Sequence, residues 1–199
     1  SDQLSAIKRL LKGMSIDTEK FTPKKIQQFI NGSKEEGLRP ANVQADDYYY
    51  KKMVEVYTAY EVQCQREVVV DFPELLLRAF EVLRDNAPLR AHYQERFSHI
   101  LVDEFQDTNE LQYAWLKLLA RPETVMMAVG DDDQSIYAFR GAKVENMRLF
   151  EREFAQNHVI KLEQNYRSYG HILNAANELI SQNNNRLGKN LWTDRGHGE

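Results

Sequence analysis

Two short apolar runs constrain this chain more than anything else in it. "HILV" (99–102) and "TVMMAV" (124–129) are too short for buried helices and rich in strand formers. Each runs straight into carboxylates: Asp103 and Glu104 after the first, then Gly130 and "DDDQ" (131–134) after the second. Between them Thr108 is positioned to cap a helix carrying Leu111, Trp115 and Leu118. A further helix is expected around 144–154, and a third strand near "HVIKL" (158–162). Strand, helix, strand, helix, strand describes a parallel sheet with crossover helices.

Upstream of Ser98 the pattern differs. Leu4, Ile7, Leu10, Leu11 and Met14 recur at helical spacing, and Thr22-Pro23 opens a helix bearing Ile26, Phe29 and Ile30, with Asn31-Gly32 as its stop. A long helix from near Asp46 carries Met53, Val56, Tyr57, Tyr60 and Cys64; Asp71 caps another with Leu75, Leu76, Ala79, Phe80 and Leu83. "DNAP" breaks that helix, and a short one bearing Leu89, Tyr93 and Phe97 follows. The expected fold is therefore α/β, a helical subdomain followed by part of a parallel-sheet core. After "QNYRS" a helix is expected over 170–182, and the polar, Gly-rich tail is read as loose.

At 42% apolar and 28% charged residues, the composition is globular. No run approaches a membrane span, and the single Cys64 fits a reducing, cytoplasmic setting. The net charge of −4 argues against a general nucleic-acid coat. Residues 1–40 nonetheless hold eight Lys/Arg against five acids, which is either a solvated face or a phosphate-contacting one.

In open parallel sheets ligands bind beyond the carboxyl ends of the strands. Asp103, Glu104, Asp131, Asp132, Asp133 and Gln134 all fall there. They could be turn formers and helix caps, a two-metal nuclease site, or the acidic strand ends of a nucleotide hydrolase, where one carboxylate holds Mg²⁺ and its neighbour orients water. Asp107 is read as structural, bonding backbone at the Thr108 helix start.

Three longer stretches, "VDEFQDTN" (102–109), "VGDDDQSIYAFRGA" (129–142) and "LEQNYRS" (162–168), resemble motifs II, III and IV of superfamily 1 DNA helicases of the UvrD/Rep/PcrA type. That resemblance implies a RecA-like, ATP-hydrolysing core interrupted by a helical insertion. It assigns 1–97 to the 1B-like insertion, 98–163 to the second part of ATPase domain 1A, and 164–199 to the start of domain 2A. Asp103 would hold Mg²⁺, Glu104 would act as base or water-orienting group, Gln134 would sense the γ-phosphate, and Arg167 would reach that phosphate from the facing domain. Tyr137, Phe139 and Arg140 would meet single-stranded DNA, with Ala138-Phe139 standing where the family has Gly followed by an aromatic residue.

The pattern G-x-x-x-x-G-K-[S/T] does not occur. Its nearest approach, "GSKEEGLR" (32–39), has Leu38 where Lys is required and lies between expected helices. The resemblance places the phosphate loop before residue 1 and further motifs after 199, so an internal piece, inactive alone, is expected. The whole would be a 3′–5′ repair helicase burning ATP with Mg²⁺, working on single strands and single-strand/duplex junctions. It would be cytoplasmic and nucleoid-associated, with repair proteins or a second copy as further partners. The competing class is an ATPase-dead DNA-binding or interaction module of the same fold, against which the presence of Asp103, Glu104, Gln134 and Arg167 counts.

Overall fold

In the computed structural model, residues 2–135, 142–143, 145–155, 158–183 and 188–198 are described. Helix α1 (Asp2–Gly13), α2 (Pro23–Glu35) and α3 (Tyr48–Glu67) bring their apolar stripes together. Ile7, Leu11, Phe21, Ile26, Ile30, Met53, Val56, Tyr57 and Tyr60 form one buried core. The caps of α2 and α4 (Phe72–Asp85) fall where the sequence places them. Thr22 accepts from the Lys25 N–H at 3.4 Å, and Asp71 accepts from the Glu74 N–H at 2.8 Å at the start of α4. Asn86 both ends α4 and caps α5 (Ala87–Arg96).

Asn31-Gly32 does not stop α2. The helix continues to Glu35 and closes at Gly37, whose φ of 78° permits the Gly37 N–H to reach Lys34 O and the Leu38 N–H to reach Ser33 O. The buried face of α4 also differs from the expected stripe: Leu77 is in the core while Leu75 and Ala79 are exposed. What turns the helix is charge, because Glu74 is buried against basic groups from α2 and the loop after it.

That arrangement withdraws two of the basic residues of 1–40 from either expected role, solvated face or phosphate contact. Lys34 is 1% exposed and lies 2.8 Å from Glu61, 3.0 Å from Asp71 and 2.8 Å from Glu74. Arg39 reaches Glu61 and Glu74 through one nitrogen and Glu81 bidentately through the others, while Arg78 bonds Glu74. Tyr60 donates its hydroxyl to Asp71. Two of the eight basic residues are thus committed inside the fold. Burial disfavours a charged Glu74, but the bonds from Arg39, Lys34 and Arg78 outweigh it and hold the carboxyl down at about 2.

Strand β1 (His99–Val102) pairs in parallel with β2 (Val125–Ala128), Val102 opposite Ala128. The crossover is α6 (Glu110–Leu119). Ile100, Val102, Met126 and Ala128 face a second core of Phe105, Tyr113, Leu116 and Phe150, whereas Leu101 (72%) and Met127 on the other face are exposed. The cap of α6 is Asn109, not Thr108: Asn109 and Gln112 bond each other's backbone N–H reciprocally, and Thr108 Oγ1 donates to Phe105 O instead. Helix α4 packs on α6, so the helical region and the sheet region touch. Helix α7 (Glu145–Phe150) continues as one π-helical turn, Glu151–Ala155.

The third strand near "HVIKL" is not formed among the described residues. Residues 158–162 join no strand ladder, and Ile160 is 85% exposed. A strand needs an edge to bond, and the first pairing downstream is the single bridge between Gln164 and Trp192. The tail is correspondingly not loose where described. Residues 188–198 run beside 163–171, with N–H donation from Trp192 to Glu163 O, Asn165 to Trp192 O and Gly170 to Gly196 O. Asn177 of α8 (Gly170–Ser181) holds Leu191 through both its amide groups.

The charge network generates a pH prediction. A carboxyl held near 2 when folded and near 4.5 when unfolded contributes stability that is fully present above pH 4.5 and is lost as pH falls toward 2. The loss should be about 3 kcal/mol, read by urea denaturation across that range. Glu74→Gln should flatten this part of the profile while lowering stability at neutral pH by about 3–5 kcal/mol.

Candidate active site

Register sets the site. The Val129 N–H donates to Val102 O at 2.8 Å and the Phe105 N–H to Val129 O at 2.9 Å, so the chains leaving β1 and β2 stay bonded for another step. Asp103 and Glu104 lie at this rim, both exposed. Glu104 sits in the left-handed region (φ 51°, ψ 42°), a conformation costing a side-chain-bearing residue about 1–2 kcal/mol. Its N–H donates to Asp103 Oδ1 at 2.9 Å, which fixes the Asp103 carboxylate relative to the Glu104 backbone.

The residue that joins the two rims is Gln106, which the sequence reading did not single out. It is 2% exposed. Its Nε2 donates to Glu104 Oε2 at 2.8 Å, and its Oε1 accepts from the Asp131 N–H at 3.0 Å. An amide between a run of acids and a helix cap carries no distinctive sequence signal. Only the parallel register, which puts 131 beside 106, exposes its role.

Asp131 organises the second loop. It accepts from the Asp133 N–H through Oδ1 at 3.1 Å and from Gln134 Nε2 through Oδ2 at 2.7 Å. Lys189, from the segment paired with 163–171, bonds Asp131 and lies 3.7 Å from Asp133. Burial works against its ionisation, yet Lys189 and Gln134 hold the Asp131 carboxyl below the usual carboxylate range. The carboxylates of Asp131, Asp132 and Asp133 lie within 4.8 Å of one another. The ammonium of Lys189 is already a counter-ion there, so we read this triad as a braced turn.

Glu104 is therefore linked to Asp103 through its own N–H, and to the loop carrying Gln134 through Gln106 and Asp131. Arg167 is exposed on the segment after the Gln164–Trp192 bridge. Its backbone is held by Asn165 Oδ1, which accepts its N–H at 2.9 Å, and by Arg195, which donates to its carbonyl at 3.0 Å. Among the described residues no contact links its side chain to Asp103, Glu104 or Gln134. Tyr137, Phe139 and Arg140 lie outside the described residues. The chain is anchored on both sides of them, at Asp131 by Gln106 and at Lys143 and Asn146, which both donate to Thr108 O. Asp107 does not bond backbone as expected through Oδ1, which is buried without a hydrogen-bond partner among the described residues.

Adjacent strand-end carboxylates, one on a strained backbone, are thus tied to a polar loop from the neighbouring strand. The model of the UvrD/REP helicase N-terminal domain matches residues 1–155, and the chain belongs to that family. Over its whole length it is 52% identical to DNA helicase II of Escherichia coli K12 and 49% identical to DNA helicase II of Haemophilus influenzae Rd. It is 42% identical to the ATP-dependent DNA helicase PcrA of Staphylococcus aureus Mu50. The chain spans about 28% of the length of these relatives.

Gly130 supplies a test of this geometry. A Cβ there would fall 2.8 Å from Gln106 Oε1, 3.2 Å from Gln106 N and 3.3 Å from Phe105 N, and the last two are backbone atoms that cannot step aside. Gly130→Ala should cost about 1–3 kcal/mol by overpacking, read as a lowered urea midpoint. Unchanged stability would mean that the two loops are not in contact.

Proposed function

We propose that the full-length protein containing this chain is an ATP-dependent DNA helicase, and that this rim is its hydrolytic half-site. The observation that carries the reading is the bonded path from Glu104 through Gln106 and Asp131 to Gln134 at the ends of two parallel strands, in a chain of the UvrD/REP family. In this reading Asp103 offers hard carboxylate oxygen to Mg²⁺, Glu104 orients and deprotonates the attacking water, and Gln134 contacts the γ-phosphate. Arg167 adds fixed positive charge where the transition state accumulates negative charge. The carboxylate set suits a Mg²⁺–nucleotide, and the bound ion would neutralise the β- and γ-phosphate oxygens. Asp131 parks Gln134 until a phosphate competes for its amide.

Tyr137, Phe139 and Arg140 lie just past Gln134 and would take the single strand, the aromatics by stacking and Arg140 by phosphate or stacking contact. The division into units 1–97, 98–163 and 164–199 is part of the proposal. Two separate apolar cores support its first boundary. Translocation 3′–5′, action at strand junctions, partners among repair proteins or second copies, a repair role and a nucleoid-associated location rest on the family resemblance. No described helix is long and apolar enough to cross a membrane.

The isolated chain should hydrolyse no ATP above background. In the full-length protein, Glu104→Gln should keep nucleotide affinity yet reduce turnover by about 10²–10⁴. Arg167→Ala should lower both turnover and affinity. Wild-type hydrolysis by Glu104→Gln would remove Glu104 from the reaction. Phe139→Ala should weaken single-strand binding by about 1–3 kcal/mol, measured by fluorescence anisotropy, with nucleotide affinity little changed.

A further inference from the structure

We infer that Gln106 is a positioning residue for hydrolysis, a buried two-ended amide that fixes the Glu104 carboxylate relative to the loop carrying Gln134. The inference rests on the reading of Glu104 given above. Its own support is geometric. The Asp131 N–H can only donate, so the Gln106 oxygen must face it and the NH₂ must face Glu104. The amide has one usable orientation, and 2% exposure leaves it no room to choose another. Gly130 leaves open the space its oxygen occupies.

A structural tie alone would need only the acceptor end, since that end satisfies a backbone donor in the second loop. The donor end is spent on Glu104, an exposed carboxylate that water could solvate without help. Such a bond adds little to burial and much to direction. It constrains the side chain of a residue whose backbone is already confined to the left-handed region. Backbone and carboxylate are then both fixed, which is what a group aiming a water molecule requires. The same amide also makes the position of Glu104 depend on the position of Asp131, and hence on the turn that holds Gln134.

The test uses the full-length protein with Mg²⁺, ATP and single-stranded DNA. Gln106→Met fills the volume and loses both bonds. Gln106→Glu keeps an acceptor for Asp131 and, once ionised, replaces the donor with a charge that repels Glu104; its kcat is read from about pH 7 to about pH 10, so that a protonated carboxyl, which could still donate, is titrated away. Both should lower kcat about 10- to 100-fold with KM for ATP little changed, the loss expected from misaiming a catalytic group. In the Glu104→Gln background the Gln106→Met change should cost little more, because the group it directs is gone. Wild-type kcat in Gln106→Glu across that whole pH range would overturn the inference, as would a Gln106→Met loss that adds in full to that of Glu104→Gln. If Gln106→Met fails to fold by thermal melting, Gln106→Glu alone decides, since it retains the bond to Asp131. Should Glu104→Gln itself turn over like wild type, the reading of Glu104 falls and the inference with it. A slow Glu104→Gln beside a fast Gln106→Glu sinks only the inference.

Discussion

Parallel pairing with Val102 opposite Ala128 decides where every polar group of the rim can go. Two strands ending level deliver their following residues side by side, and the backbone bonds Val129 to Val102 and Phe105 to Val129 carry that closeness past the strand ends. At such a separation a side chain at 130 would strike the opposing loop, so the position is glycine. The space so left admits the amide of Gln106. A register slipped by one residue would turn the buried face of β1 outward and move Glu104 away from the loop it now serves.

The helical region depends on a different device. Lys34 places an ammonium among three carboxylates in a nearly dry setting, and Arg39 and Arg78 complete the neutralisation. Networks of this kind seldom add net stability over apolar packing, since desolvation opposes the Coulomb attraction. Their strength is directional: α2, α3 and α4 each contribute partners, so a rotation of any one helix would strand a buried charge. Glu74 turning inward sets which face of α4 is buried.

Much of this was legible in the sequence, and the failures have physical causes. The stripes of α1 to α3 are read from apolar period alone, because their partners are one another. The strand ends and their acids are legible since short apolar runs followed by Asp-Glu or Gly-Asp have few other uses. Period fails on α4, where an ion network rather than a leucine chooses the face. It fails at 158–162, where residues suited to a strand find no described edge to bond. Asn31-Gly32 loses to Gly37 because the closing bonds need their positive φ after the last turn, wherever helix packing sets that turn. Gln106 was invisible for a different reason: its importance lies in a contact 25 residues away along the chain.

The bonds around Asp131 give the rim a mechanical character. One oxygen of this carboxylate holds Gln134, the other takes Lys189, and the residue's own N–H is held by Gln106. Lys189 belongs to the segment bonded alongside 163–171, which carries Arg167. A single residue thus touches the turn expected to sense a phosphate and the segment paired beside Arg167 through its carboxylate, and the amide bonded to Glu104 through its N–H. On the proposed reading, a nucleotide that draws Gln134 away frees an oxygen of Asp131, and the strength of its hold on Lys189 must change in response. Gln134 and Lys189 are first neighbours of one carboxylate, so a change at either is felt at the other without a long-range pathway.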